Sequence, residues 1–297
     1  MQYTESKHLM GTDVTITIFG SGDYTLDIDA VFDLFYDMEL EFSRFISTSS
    51  LSLLNTKRSL LVSDRFIDII KKCKELYIKT DGYFNPLVSV SQIGYNKSFD
   101  LQEFEKKDIN VNLDFERVKI DENVVTLDTD QIIDLGGIVK GYTVDLAKNY
   151  LDKQGYTNYI IDAGGDIYVS GITDLEKPIL VGIDDPFTKG YLSATLELKD
   201  KAIATSGNYK RKWTIDNQEY NHIINPLTSS NNNEITSISL IADVCYLADA
   251  YATVCIAMGV DKTLEFVKKE HIDAFIVCLD QRTYQTDGME QYALRIL

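Results

Sequence analysis

Proline is scarce in this chain, four in 297 residues, and no stretch rich in Pro, Ser and Gly interrupts it. Nothing in the composition marks an interdomain linker, the length allows one large domain or two, and one domain over 1–297 is the expectation. The four cysteines, Cys73, Cys245, Cys255 and Cys278, show no Cys-x-x-Cys spacing, and each sits in an apolar run. They read as small core residues, which argues against a disulfide framework. No segment approaches the roughly eighteen continuous apolar residues that span a bilayer. The first twenty residues, MQYTESKHLMGTDVTITIFG, lack a basic region followed by an apolar one, and lack a lipobox-like cysteine. Positive charge is short as well: 29 basic residues stand against 46 acidic ones, for a net charge of −17. That balance argues against nucleic-acid binding, because phosphate contacts by Lys and Arg dominate its affinity. An anionic ligand would be repelled too, unless a divalent cation or a local cluster of cations inverted the field.

What the chain does have is apolar material, 44% hydrophobic and 11% aromatic residues, ample for a packed core. It is organised around two segments. Residues 134–147, DLGGIVKGYTVDLA, run from a strand end over 131–135 through Gly136-Gly137 into a helix, on which Val139, Tyr142, Leu146 and Tyr150 recur at helical spacing. A helix N-terminus after paired glycines is an anion seat, with Lys140 as a mobile positive charge in the first turn. Residues 247–259, LADAYATVCIAMG, form a helix apolar nearly all round, with Asp249 as its only charge. A carboxylate there needs a partner or a metal, and Thr253, four residues on, offers a second oxygen on the same face. Two readings stand for this pair. One is a hard cation such as Mg²⁺, bridging to a diphosphate near Lys140. The other is a buried Asp capping a neighbouring loop, with Thr253 bonded back to its own helix.

Elsewhere, residues 14–19 alternate as a strand, 28–45 and 64–77 carry amphipathic helical spacing, and the polar stretch up to Asn55 reads as a capped loop entering a short helix. Short β runs at 118–120, 124–127, 159–162, 167–169, 180–183, 191–198 and 202–209 follow, and 99–110 reads as a solvated insertion. Residues 263–267, 273–279 and 292–296 read as helix, strand, strand. Gly164-Gly165 is by itself a tight turn or bulge, and its pairing with Gly136-Gly137 points towards a shared cleft. Arg211 and Lys212 read as a solvated pair. His222, one of three histidines, precedes a rigid Asn-Pro turn; a structural hydrogen bond and a phosphate or hydroxyl contact are both open to it. Clusters of strands and helices without a regular βαβ repeat make an α+β layered fold, with helices packed on sheets.

These segments also carry a resemblance. DLGGIVKGYTVDLA, NYIIDAGGDIYVSG (158–171), AIATSGNYKR (202–211), HIINPLT (222–228) and ADAYATVCIAMG (248–259), with MGT (10–12), FSRFISTSSLSLLN (42–55) and TDGYFNPLV (80–88), resemble the ordered motif set of the FAD:protein FMN transferases, the ApbE family. The likeness covers nearly the whole chain. It implies an ApbE-like, T-fold-related architecture and transfer of the FMN moiety of FAD to a Thr or Ser hydroxyl of an acceptor flavoprotein, with release of AMP. It also implies Mg²⁺ held by Asp249, Thr253 and the Gly137 carbonyl, FAD contacts from Lys140 and Asp134, and a catalytic part for His222 and Asp249. Met10, Phe45, Tyr83, Phe84, Asn85 and Ile223 would line the flavin or adenosine pockets. For Asp134 the alternative is a helix N-cap. The chain departs from the family at Phe45, where many relatives have tyrosine, at Asn85 and Asn225, where aspartate is usual, and near 93–95, where a tryptophan is missing. The alternatives in function are an FAD diphosphatase and a non-catalytic FAD-binding protein. Many relatives are exported and lipid-anchored, so the expected location is cytoplasmic, or else external after loss of a leader. A homodimer would be unsurprising.

Overall fold

A computed structural model describes residues 1–88, 103–104, 112–209, 211–293 and 295–296. The expectations at 93–95, and at 99–110 apart from residues 103 and 104, lie outside that set. The chain opens with a hairpin in which β1 (Gln2–Leu9) and β2 (Thr12–Phe19) pair antiparallel, Leu9 opposite Thr12. Its two-residue turn places Met10 at φ 54° and Gly11 at φ 69°, the primed geometry that matches strand twist. Glycine takes that region freely, but methionine does so only when its surroundings hold it there. Helix α1 (Thr25–Phe42) buries Ile28, Val31, Phe32, Phe35, Met38 and Phe42 along one stripe. It stops sooner than the apolar spacing predicts, because Ser43 turns extended, so Phe45 lies beyond the helix and is 46% exposed.

The polar stretch does enter a short helix, α2 (Ser50–Lys57), with the Ser49 hydroxyl accepting from the Ser52 N–H at 3.0 Å. Strand β3 (Ser59–Leu61) and helix α3 (Asp64–Lys79) follow, the latter capped by Ser63 and stopped ahead of Asp81 and Gly82, both at positive φ. β4 (Lys119–Asp121) and β5 (Val124–Thr126) complete a small sheet in the order β3-β5-β4. The strand expected at 131–135 is absent. Its amides meet a side chain and a loop instead of a ladder: the Ile133 N–H donates to Asn55 Oδ1 at 2.8 Å and the Asp134 N–H to the Pro86 carbonyl at 2.7 Å. These bonds tie the entry of α4 (Val139–Lys153) to α2 and to the turn after α3.

β6 (Tyr159–Ala163) and β7 (Asp166–Ser170) are joined by Gly164 and Gly165 at φ 69° and 101°. Next come β8 (Ile179–Asp184), β9 (Leu192–Leu198), β10 (Lys201–Gly207) and the hairpin β11 (Lys212–Ile215) with β12 (Gln218–Asn221). The last part holds β13 (Ile235–Ala242), α5 (Cys245–Met258), α6 (Val260–Lys269), β14 (Asp273–Cys278), β15 (Thr283–Gln285) and β16 (Arg295–Ile296). The expected final strand is shorter than read, because Asp287–Tyr292 winds as a 3-10 turn.

The main sheet has eight strands in the order β1-β2-β6-β7-β10-β13-β14-β15, every neighbouring pair antiparallel. Its central strands are covered on both faces, and their side chains alternate between two cores. Tyr168 and Ala202 join the core shared with α1 and α4, and Leu240 and Ile276 the one shared with α3 and α5. Their neighbours Val169, Ile203, Ile241 and Val277 turn to the opposite face, where the small sheet β16-β9-β8 supplies Val181, Ile183, Leu196 and Leu198. The result is three layers: helices, large sheet, small sheet. This is the layered α+β arrangement expected from the pattern.

Candidate active site

α4 and α5 are pressed together at their first turns. A Cβ on Gly141 would lie 2.6 Å from the Cys245 carbonyl oxygen and 2.8 Å from the Tyr246 Cα, so only glycine permits this approach. Neither helix has a side-chain cap of its own; each borrows one from the other. Asp249 of α5 accepts the Gly141 N–H at 3.0 Å through Oδ2. Asp145 of α4 accepts the N–H groups of Cys245 at 2.7 Å and Tyr246 at 2.9 Å. Carboxylates at helix N-termini are favoured by the orphan N–H groups and by the helix dipole. Burial nevertheless pushes the Asp145 carboxyl up to about 6, although those two hydrogen bonds act against the rise.

The capping reading of Asp249 is thus realised in part, on the first turn of a neighbouring helix and not on a loop, and it leaves room for the other. Asp249 is 4% exposed and spends only Oδ2; its Oδ1 has no partner among the described residues. Thr253, one turn on, is not bonded back to its own helix, in contrast to Thr143, whose hydroxyl donates to the Val139 carbonyl at 2.7 Å. The Thr253 hydroxyl instead faces Ser206 Oγ at 3.3 Å. A Cβ on Gly137 would stand 3.7 Å from Thr253 Oγ1, so the main chain of the glycine turn abuts this hydroxyl. No three His, Cys, Asp or Glu side chains cluster as a metal cage among the described residues. The groups that would hold a metal here are Asp249 Oδ1, the Thr253 hydroxyl and the main chain of the glycine turn, all hard oxygens. They suit Mg²⁺, which keeps several waters and takes phosphate oxygens rather than filling its shell from protein.

Lys140 corrects the sequence reading. It is not a mobile charge: its ammonium is paired with Asp166, which is 3% exposed, and lies 4.0 Å from Asp249 Oδ2. Through this pair the two glycine turns do meet, since Lys140 follows Gly136-Gly137 and Asp166 follows Gly164-Gly165. Asp134 is not the N-cap of α4, which starts at Val139 after Ile138; it lies ahead of the helix and accepts the N–H of Gly136 in the glycine turn at 2.9 Å through Oδ1. Its Oδ2 takes Arg44 Nη1 at 2.7 Å. The Arg44 guanidinium in turn stands 4.7 Å over the Phe45 ring.

His222 sits where several of these charges converge. Burial, then the positive charges of Arg211, Lys140 and Arg44, bring its pKa down to about 3, against a hydrogen bond with the Arg211 main chain that acts the other way. Its ring is therefore neutral at physiological pH, and its buried Nδ1 has no hydrogen-bond partner among the described residues. Ile223 beside it is buried, held by its N–H to Asn221 Oδ1 at 2.9 Å and by its carbonyl from Asn231 Nδ2 at 2.6 Å. Of the other expected lining residues, Met10 packs against the edges of two cores, Phe84 is buried, and Tyr83 is bonded and stacked by Lys262. Asn85 and Asn225 spend their amides on the fold. Asn85 donates to Leu113 and accepts from Leu87, and Asn225 donates to Ala257 and accepts from Leu227. Arg44, Asp166 and the cation character of Arg211 towards His222 were not singled out in the sequence. Their partners lie far along the chain, and no periodicity records such pairs.

The three-layer fold thus gathers two mutually capped helices, a glycine turn and the cations that bear on a neutral histidine. The described residues resemble solved flavin-transferase structures over nearly their whole length. The ApbE protein of Thermotoga maritima superposes with a TM-score of 0.89 at 24% identity, covering 98% of this chain and 99% of that one. The flavin transferase ApbE of Vibrio cholerae gives 0.84 at 23% identity, again over 98% and 99%. Residues 10–276 match the ApbE family, and the chain belongs to that family. Among curated relatives, the FAD:protein FMN transferase of Vibrio cholerae is 27% identical over 87% of this chain and 77% of its own. That of Treponema pallidum is 25% identical over 97% and 88%. No helix among the described residues is long and apolar enough to cross a membrane.

Proposed function

We propose that this chain, as a single domain, is an Mg²⁺-dependent FAD:protein FMN transferase. It moves the FMN moiety of FAD onto a Thr or Ser hydroxyl of an acceptor flavoprotein and releases AMP. The observation that carries the reading is Asp249. It is a buried carboxylate whose Oδ2 accepts the Gly141 N–H of α4 and lies 4.0 Å from the Lys140 ammonium, and Thr253, one helical turn on, abuts the Gly137 main chain. The names carried by the curated relatives support the same substrate pair.

In this reaction the acceptor oxygen bonds to the flavin-side phosphorus, the bridging P–O bond breaks towards AMP, and the hydroxyl proton leaves. Asp249 Oδ1, Thr253 Oγ1 and the Gly137 carbonyl would hold Mg²⁺, whose part is to neutralise charge on the diphosphate oxygens. Lys140, fixed by Asp166, presents a positive charge that needs no reorganisation as the bond breaks. His222 enters uncharged with Nδ1 vacant, and a diphosphate beside it raises its affinity for the departing proton. Met10, Phe45, Tyr83, Phe84, Asn85 and Ile223 are proposed to border the flavin and adenosine. Of these, Asn85 acts through its backbone and shape, since its amide is already engaged.

The test is incubation with FAD, Mg²⁺ and an acceptor flavoprotein, following AMP release and covalent flavin fluorescence on a denaturing gel. Covalent label marks a transferase, AMP without label a diphosphatase, and neither signal a binding protein. Asp249→Ala is expected to reduce both signals by about a hundredfold or more while far-UV circular dichroism is unchanged. Undiminished labelling by that variant would refute the metal assignment.

A further inference from the structure

The cations around the cleft are mostly spent. Arg44 is paired with Asp134 and Lys140 with Asp166, while Lys212, next to Arg211 in sequence, pairs with Glu219 across the β11–β12 hairpin. Arg211 differs. The one hydrogen bond its guanidinium makes among the described residues is long, Nη2 to the Gly11 carbonyl at 3.4 Å, and no carboxylate there pairs with it. In a chain with 46 acids to 29 bases, an unpaired guanidinium is uncommon. Its place adds meaning. It reaches the Met10–Gly11 turn on one side, and on the other its main chain and charge border His222, whose Nδ1 is buried and lacks a partner. A planar guanidinium is weakly hydrated and always charged, and it matches two oxygens of one phosphate.

We propose that Arg211 is a substrate-binding residue: its guanidinium takes phosphate oxygens of the flavin dinucleotide and so sets the site's preference for phosphate-bearing over neutral flavins. This rests on the flavin-transferase reading above. The weak bond to Gly11 parks the side chain at the cleft without satisfying it, and four of its five N–H donors remain for the ligand.

The test measures affinity of the full chain for FAD and for riboflavin, with Mg²⁺ present, by flavin fluorescence, in the wild type, Arg211→Ala and Arg211→Lys. The expected result is a loss of FAD affinity of about tenfold or more in Arg211→Ala, the size of one charge-assisted pair. Riboflavin affinity is expected to be unchanged, and Arg211→Lys to recover part of the loss through charge without the fork. Unchanged FAD affinity in Arg211→Ala overturns the proposal. An equal loss for FAD and riboflavin also overturns it, since Arg211 would then serve only to hold the Met10–Gly11 turn. A wild-type chain that binds neither flavin would sink the transferase reading together with this one, whereas the first two outcomes sink this one alone.

Discussion

At the scale of single residues, His222 ties the cleft's electrostatics to a solution measurement. Its pKa falls from 6.5 to about 3 on folding, so between those values the unfolded chain binds a proton that the folded chain does not. Stability contributed here is complete above pH 6.5 and falls on acidification, by at most about 1.4 kcal/mol per pH unit. Asp145 acts with the opposite sign: its carboxyl rises from 3.8 to about 6, so the folded chain holds the extra proton between those values. The two slopes offset one another from about pH 4 to 6, and the useful quantity is the difference between variants. His222→Gln is expected to flatten the loss of stability between pH 6.5 and 4 relative to wild type in urea titrations. An unchanged acid slope would contradict a neutral buried imidazole. Asp249 and Lys140 were legible in the sequence because a lone charge in an apolar helical pattern, or just after twin glycines, stands out from its neighbours. Asp166 and Arg44 were not, because an ion pair between residues 26 or 90 positions apart has no local signature.

At the scale of elements, the contact between α4 and α5 makes opposite forecasts for two glycines of one motif. A methyl group on Gly141 would lie 2.6 Å from a backbone oxygen that cannot rotate away. Gly141→Ala should therefore cost about 1–3 kcal/mol as the helices are forced apart, visible as a lowered melting temperature. A methyl on Gly137 meets the Thr253 side chain at 3.6 Å, ordinary contact distance. Gly137→Ala should leave stability within about 0.5 kcal/mol and weaken Mg²⁺ binding, read by calorimetry with the metal alone. Equal effects on stability in the two variants would remove the distinction. The helices themselves were readable from apolar spacing. The segment at 131–135 was misread as a strand because a run rich in Ile and Leu carries the same pattern whether its N–H groups meet another strand or, as here, Asn55 and Pro86.

At the scale of the whole molecule, the layered class followed from clusters of strands and helices, but strand order did not. β2 pairs with β6 and β10 with both β7 and β13, across insertions that contain whole helices and the small sheet. Partners so distant are chosen by two-sided burial, which a linear pattern records only as long apolar runs. The reciprocal caps of α4 and α5 have a consequence for how this molecule breathes. If either helix lifted away alone, the carboxylates of Asp145 and Asp249 would both lose their amides at once, so the opening is all-or-none. The amides of Gly141, Cys245 and Tyr246 should then exchange with deuterium at a common free energy close to that of global unfolding. A Gly141 amide exchanging orders of magnitude faster than the other two would show that one wall of the cleft can swing without its neighbour.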